Sequence, residues 1–197
     1  MSGTDTARSV TGEDEVVDLC RELIRIDTSN YGDHSGPGER KAAEYVAEKL
    51  AEVGLEPQIF ESHPGRASTV ARIEGEDPSR PALLIHGHTD VVPANADDWT
   101  HHPFSGEIAD GCVWGRGAVD MKDMDAMTLA VVRDRMRSGR KPRATSCSPS
   151  SPTRRPAART GPATWSTGTR TSSRASPRRS ARWAASRSPS ASSAACI

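Results

Sequence analysis

Two histidines and an aspartate close an apolar run in Leu83-Leu84-Ile85-His86-Gly87-His88-Thr89-Asp90-Val91-Val92-Pro93. His88 and Asp90 are two residues apart, so in extended chain both point to one side. A carboxylate there accepts one ring N–H of His88, fixes the tautomer and leaves the other nitrogen free for a metal. Thirty residues on, Trp114-Gly115-Arg116-Gly117-Ala118-Val119-Asp120-Met121-Lys122 sets an aspartate just ahead of a helical pattern. The glycines permit a tight backbone path, and the two oxygens of Asp120 could bridge two cations. Each feature alone also has a structural reading. His88 would then be a hydrogen-bonded strand-end histidine, and Asp120 a helix N-cap.

The surrounding pattern supplies elements to position these groups. Glu13 to Ile26 reads as a helix with Val16, Leu19, Cys20, Leu23 and Ile24 on one stripe. Thr28 to Gly38 is a loop. A second helix runs from about Glu39 to Val53 and stops at Gly54. Leu55 to Glu61 and Thr69 to Glu74 read as strands. Pro81 to Ile85 is a continuous apolar run, as in a strand covered on both faces. Asp110-Gly111 marks a hairpin. Asp123 to Ser138 returns to helical spacing through Met124, Met127, Thr128 and Val131, which places the methionines in the core. His86 is expected to pack behind the site. Alternating helices and strands predict an α/β layered domain.

Composition divides the chain. Residues 1–142 hold 26 acids against 16 bases, a net −10, whereas residues 143–197 hold ten arginines and no acid. In that second stretch 48 of 55 residues are Ser, Ala, Arg, Thr or Pro, too little apolar surface to offset the entropy of ordering. The expected organisation is a flexible lead-in over 1–12, a catalytic part over 13–142, and a disordered tail over 143–197. No apolar run approaches the ~18–20 residues of a membrane helix. Met1 to Asp18 lacks a signal peptide's apolar segment, so a cytoplasmic location is expected. The four cysteines are widely spaced, which predicts isolated thiols rather than a disulfide framework.

Together and in this order, His86-Gly87-His88-Thr89-Asp90-Val91-Val92-Pro93, Trp99, Pro103-Phe104, Asp110-Gly111, Gly115-Arg116-Gly117 and Asp120-Met121-Lys122 resemble the zinc-dependent aminoacylase, carboxypeptidase and deacetylase superfamily. That group includes glutamate carboxypeptidases, acetylornithine deacetylase and succinyl-diaminopimelate desuccinylase. The resemblance implies the N-terminal part of a three-layer α/β/α zinc-peptidase-like catalytic domain. It implies His88 as a ligand of one zinc, Asp120 as a bridge between two, and Asp90 as the group that orients His88, with cobalt as an alternative metal. It further implies hydrolysis of amide bonds in small N-acyl amino acids or peptides, and homodimers among intact members.

The family's general base and remaining ligands have no counterpart here. No acid follows Asp134 and no histidine follows His102. The sequence therefore predicts an incomplete, inactive member. Read in a neighbouring frame, one allowed decoding from position 143 is Arg-Asp-Leu-Val-Leu-Ala-Phe-Leu-Ala-Asp-Glu-Glu-Ala-Gly-Gly, an apolar strand followed by the missing acidic motif. That decoding depends on which serine and arginine codons are used. The alternative from another class is a non-catalytic protein whose arginine-rich tail binds nucleic acid or another polyanion through salt-dependent contacts. The tail's two tryptophans form no periodic stacking platform, so nucleic acid is not the expected partner.

Overall fold

The computed structural model describes residues 10–151 and 194–196. Helix α1 spans Gly12–Arg25 and opens with a capping box. The Asp14 carboxylate accepts from the Thr11 backbone N–H at 2.9 Å, while Thr11 Oγ1 accepts from the Asp14 N–H at 3.4 Å. Helix α2 is Arg40–Ala51 and α3 is Lys122–Arg137. The main sheet runs β1 (Gln58–His63), β2 (Arg66–Ile73), β7 (Ser146–Ser151), β3 (Leu83–Leu84), with β4 (Gly87–His88) also paired to β7. β3 and β4 lie parallel to β7, whereas β1/β2 and β2/β7 are antiparallel. A smaller antiparallel sheet joins β5 (Glu107–Ala109), β6 (Cys112–Trp114) and β8 (Ala194–Cys196). The α1 stripe is buried as expected at Leu19, Cys20, Leu23 and Ile24, in one cluster with Leu50, Ala71, Ile73, Val113 and Leu129.

Several expectations change. The α3 face is rotated: Met124, Met127 and Val131 are exposed, while Lys122, Ala126, Leu129, Ala130 and Arg133 are buried. Spacing alone could not choose this face because it carries two cations, each admitted only because it is partnered. Arg133 pairs with Glu15 at 3.1 Å and Glu52 at 2.8 Å, tying all three helices together. Lys122 Nζ donates to the Leu23 and Ile26 carbonyls, each at 2.8 Å, and so closes the C-terminal end of α1.

The run 81–85 is not a doubly covered strand. Leu83 and Leu84 are 57% and 60% exposed, because β3 ends the path of the sheet and only β7 pairs with it among the described residues. His86 is exposed for the same reason and does not pack behind the site. The ordered backbone also continues past 142, since β7 and β8 fall in the stretch expected to carry no element. Strand pairing uses main-chain N–H and C=O groups. A segment poor in apolar side chains can therefore still fill the slot between β2 and β3. The rest of the expected tail, residues 152–193 and 197, lies outside the described residues, as does most of the lead-in. Cys20 and Cys147 are free, but Cys112 is disulfide-bonded, contrary to the expectation of isolated thiols. Its Cα partner across the β6/β8 pairing is Cys196, a juxtaposition that spacing in the sequence does not reveal.

Candidate metal centre

His88 ends β4, and the chain then turns through buried Thr89, Asp90 and Val91. The loop after α1 clamps this segment. Ser29 and Val91 form a parallel bridge, the Asn30 N–H donates to the Val91 carbonyl at 2.9 Å, and Thr28 Oγ1 bonds the Thr89 carbonyl at 2.5 Å. Asp120 reaches the same place from the other side, on the glycine-lined approach to α3. Gly117 has φ +83, and an added Cβ there would lie 2.5 Å from Val91 Cγ1, so the close passage demands glycine. The peptide bond from Asp120 to Met121 is cis. The N-cap of α3 is Met121, which makes no side-chain cap bond, so Asp120 is not the helix cap that one reading allowed.

The three residues singled out by spacing converge. His88 Nε2 lies 3.2 Å from Asp120 Oδ1. His88 Nδ1 lies 3.3 Å from Asp90 Oδ1 and 3.1 Å from the Asp90 backbone oxygen. Asp90 is fully buried, whereas the Asp120 side chain is 58% exposed. One nitrogen of the ring is thus fixed from the protein side while the other faces an open carboxylate. Donors ~2 Å from a tetrahedral zinc stand roughly 3.3 Å from each other, so the 3.2 Å gap between Nε2 and Oδ1 suits two ligands of one ion. Among the described residues no group of three or more His, Cys, Asp or Glu side chains gathers as a metal cluster. The pair therefore fits one side of a metal site.

Four residues that the sequence did not single out surround this pair. Asn30 Nδ2 donates to Asp90 Oδ2 at 2.9 Å. Arg66 Nη2 stands 4.0 Å from the same oxygen, and its Nη1 is 2.8 Å from Glu39 Oε1. Glu39 is fully buried, and burial pushes its carboxyl up to about 7, an effect that Asp90 reinforces and Arg66 opposes. Asp125 packs over Gly87, where an added Cβ would meet its Oδ1 at 2.0 Å. Burial raises Asp125 to about 7, against the pull of His88 and Lys122, and its Oδ2 has no hydrogen-bond partner among the described residues. The Pro64-Gly65 turn signal could have placed Arg66 at the start of a strand. Nothing local marks Asn30, Glu39 or Asp125.

Residues 84–147 match the model of peptidase family M20/M25/M40. Aminoacylase-1 of Sus scrofa is 37% identical over 123 residues, which cover 62% of this chain and 29% of that protein. Succinyl-diaminopimelate desuccinylase of Methylorubrum populi is 46% identical over 99 residues, covering 48% and 25% respectively. The chain thus spans under a third of the length of these relatives. The fold resembles an M20 family metallo-carboxypeptidase of Sulfolobus solfataricus, with TM-score 0.60, 20% identity, and coverage of 70% of this chain and 30% of that one. It also resembles human carnosine dipeptidase 1, with TM-score 0.58, 21% identity, and coverage of 71% and 32%. Sequence and fold agree that residues 13–142 carry part of a catalytic domain of the metallohydrolase superfamily to which the M20 peptidases, aminoacylase-1 and the desuccinylases belong.

Proposed function

We propose that this chain descends from amide-bond hydrolases in which zinc is held by His88 and Asp120, and that its 197 residues alone lack the groups needed for turnover. The single observation carrying the reading is the convergence of His88 Nε2 on Asp120 Oδ1 with Asp90 at the other ring nitrogen. When bound, zinc supplies a Lewis acid that polarises a carbonyl and makes water more acidic. In this chain Asp90 accepts the Nδ1 proton of His88 and keeps the Nε2 lone pair aimed outward. Asp120, half exposed, offers one oxygen beside Nε2 and leaves the other for a second cation or for solvent. Cobalt would suit the same donors.

Proton abstraction from water needs a base near the reacting atoms, typically worth ~10²–10⁴ in rate. No acid follows Asp134, and Asp125, though close, lies buried beneath Gly87. The composition break at 143 supports a shifted reading frame as the origin of this gap. The relatives' names, aminoacylase and desuccinylase, support a small N-acyl amino acid or peptide as the substrate class. None of the helices among the described residues is long and apolar enough to cross a membrane, which is compatible with a cytoplasmic setting.

The test compares the chain as it stands with a version whose frame is restored at codon 142. Both are assayed on N-acyl amino acids and dipeptides with added zinc. Chelator-sensitive hydrolysis is expected from the restored version only. Equal turnover by both would show that the essential groups lie elsewhere.

A further inference from the structure

We propose that Arg66 and Asn30 are positioning residues for His88, holding one oxygen of Asp90 so that its other oxygen is committed to the His88 Nδ1 proton. The inference rests on the reading of His88 as a ligand, since a ring protonated on Nδ1 is one whose Nε2 can accept a metal. The argument begins with burial. Asp90 is fully buried, and a buried carboxylate needs partners on both oxygens to offset its desolvation. Oδ2 receives the Asn30 amide at 2.9 Å and stands 4.0 Å from the Arg66 guanidinium. Oδ1 is thereby left facing Nδ1 at 3.3 Å.

Arg66 is itself immobilised by Glu39, 2.8 Å from its other terminal nitrogen and fully buried at the N-cap of α2. Asn30 is immobilised by the Ser29–Val91 bridge. Three elements far apart in sequence, the loop after α1, the start of α2 and the start of β2, therefore converge on one oxygen. The opposite ring nitrogen faces the exposed Asp120, where water competes. The preference of the proton for Nδ1 comes from the buried side. Without Arg66 and Asn30, the Asp90 carboxylate turns toward other donors, and the ring loses the stronger of its two acceptors on that side. The backbone oxygen of Asp90 at 3.1 Å remains as the weaker, neutral one.

The experiment uses the full chain with ¹⁵N-labelled histidine and reads the two His88 ring nitrogens at a pH where the ring carries a single proton. Circular dichroism and urea midpoints check folding of each variant. The unsubstituted chain should show one tautomer with the proton on Nδ1. Arg66→Met and Asn30→Ala should each convert it to a mixture, with partial recovery in Arg66→Lys. Glu39→Gln should retain the single tautomer, because Arg66 stays beside Asp90. An unchanged tautomer in folded Arg66→Met and Asn30→Ala would overturn the proposal and assign the fixing of the ring to the backbone oxygen alone. Should Arg66→Met not fold, Asn30→Ala decides by the same criterion. Zinc is added in a separate arm. An Arg66-dependent tautomer with no zinc-induced shift at Nε2 upholds the positioning role and removes the metal reading instead.

Discussion

Glu39→Gln tests how the buried charges are balanced. Glu39 and Asp90 are two fully buried carboxylates served by one guanidinium, that of Arg66. Burial raises the Glu39 carboxyl from 4.5 to about 7, with Arg66 lowering it and Asp90 adding to the rise. Between those two values the folded chain holds a proton that the unfolded chain has released. The folded state then binds more protons, so this group's contribution is full below pH ~4.5 and is lost as pH rises through about 7. At ~1.36 kcal/mol per pH unit, the interval amounts to about 3 kcal/mol. Glutamine keeps the shape and has no proton to lose. The two proteins should have similar stability near pH 4.5, and the Gln variant should gain up to about 3 kcal/mol by pH 8. The assay is urea unfolding at half-unit pH steps. With a slope of roughly 1–3 kcal/mol per molar urea, the midpoints should separate by about 1–3 M at pH 8. A constant gap across pH, or a gap that favours the Glu form at pH 8, would refute the reasoning. It would mean that Arg66 fully compensates a charged Glu39.

Arg133→Ala should lower unfolding free energy by about 3–5 kcal/mol, read from the urea midpoint, because it strips the cation from buried Glu15 and from Glu52. A loss under ~1 kcal/mol would mean that the pair is solvated like a surface bridge. Gly87→Ala should cost about 1–3 kcal/mol, since its methyl group would sit 2.0 Å from Asp125 Oδ1. Part of that loss should return in the double variant with Asp125→Ala, and an unaltered melting temperature in Gly87→Ala would contradict the packing.

The helices and the site's first residues were legible because their signals are local. The α1 stripe needs only a period of 3.6, and Thr11 with Asp14 needs only a three-residue spacing. His88 and Asp90 announce themselves two residues apart, and Asp120 precedes a helix at a glycine-rich approach. The combined motifs then carried the resemblance that the similarity to aminoacylase-1 and to the carboxypeptidase fold bears out. The α3 face was misjudged because a hydrophobic pattern ranks Met127 and Val131 above Lys122 and Arg133. A cation with fixed partners can be the better buried group, and its partners lie on other helices, at Leu23, Ile26, Glu15 and Glu52.

The supports of the site were invisible for a related reason. Asn30, Glu39 and Arg66 lie 60, 51 and 24 residues from Asp90 in the chain, and no periodicity links them. They meet because α1 hands its following loop to the 89–91 segment while β2 starts beside the entry to α2. β7 marks a different limit. Composition weighs side chains, and the side chains of 143–151 gave no reason to expect a strand. Yet β2 is short of a partner on one edge and β3 on another, and the backbone of 146–151 serves both. Pro149 sits in that pairing opposite Val70 and brings no N–H to it. A strand that joins two halves of a sheet while carrying a proline is held by its place in the topology rather than by its own propensity. A frame-restored segment at 143 would have to fit that same slot, so the slot itself supports the reading that an apolar strand belongs there.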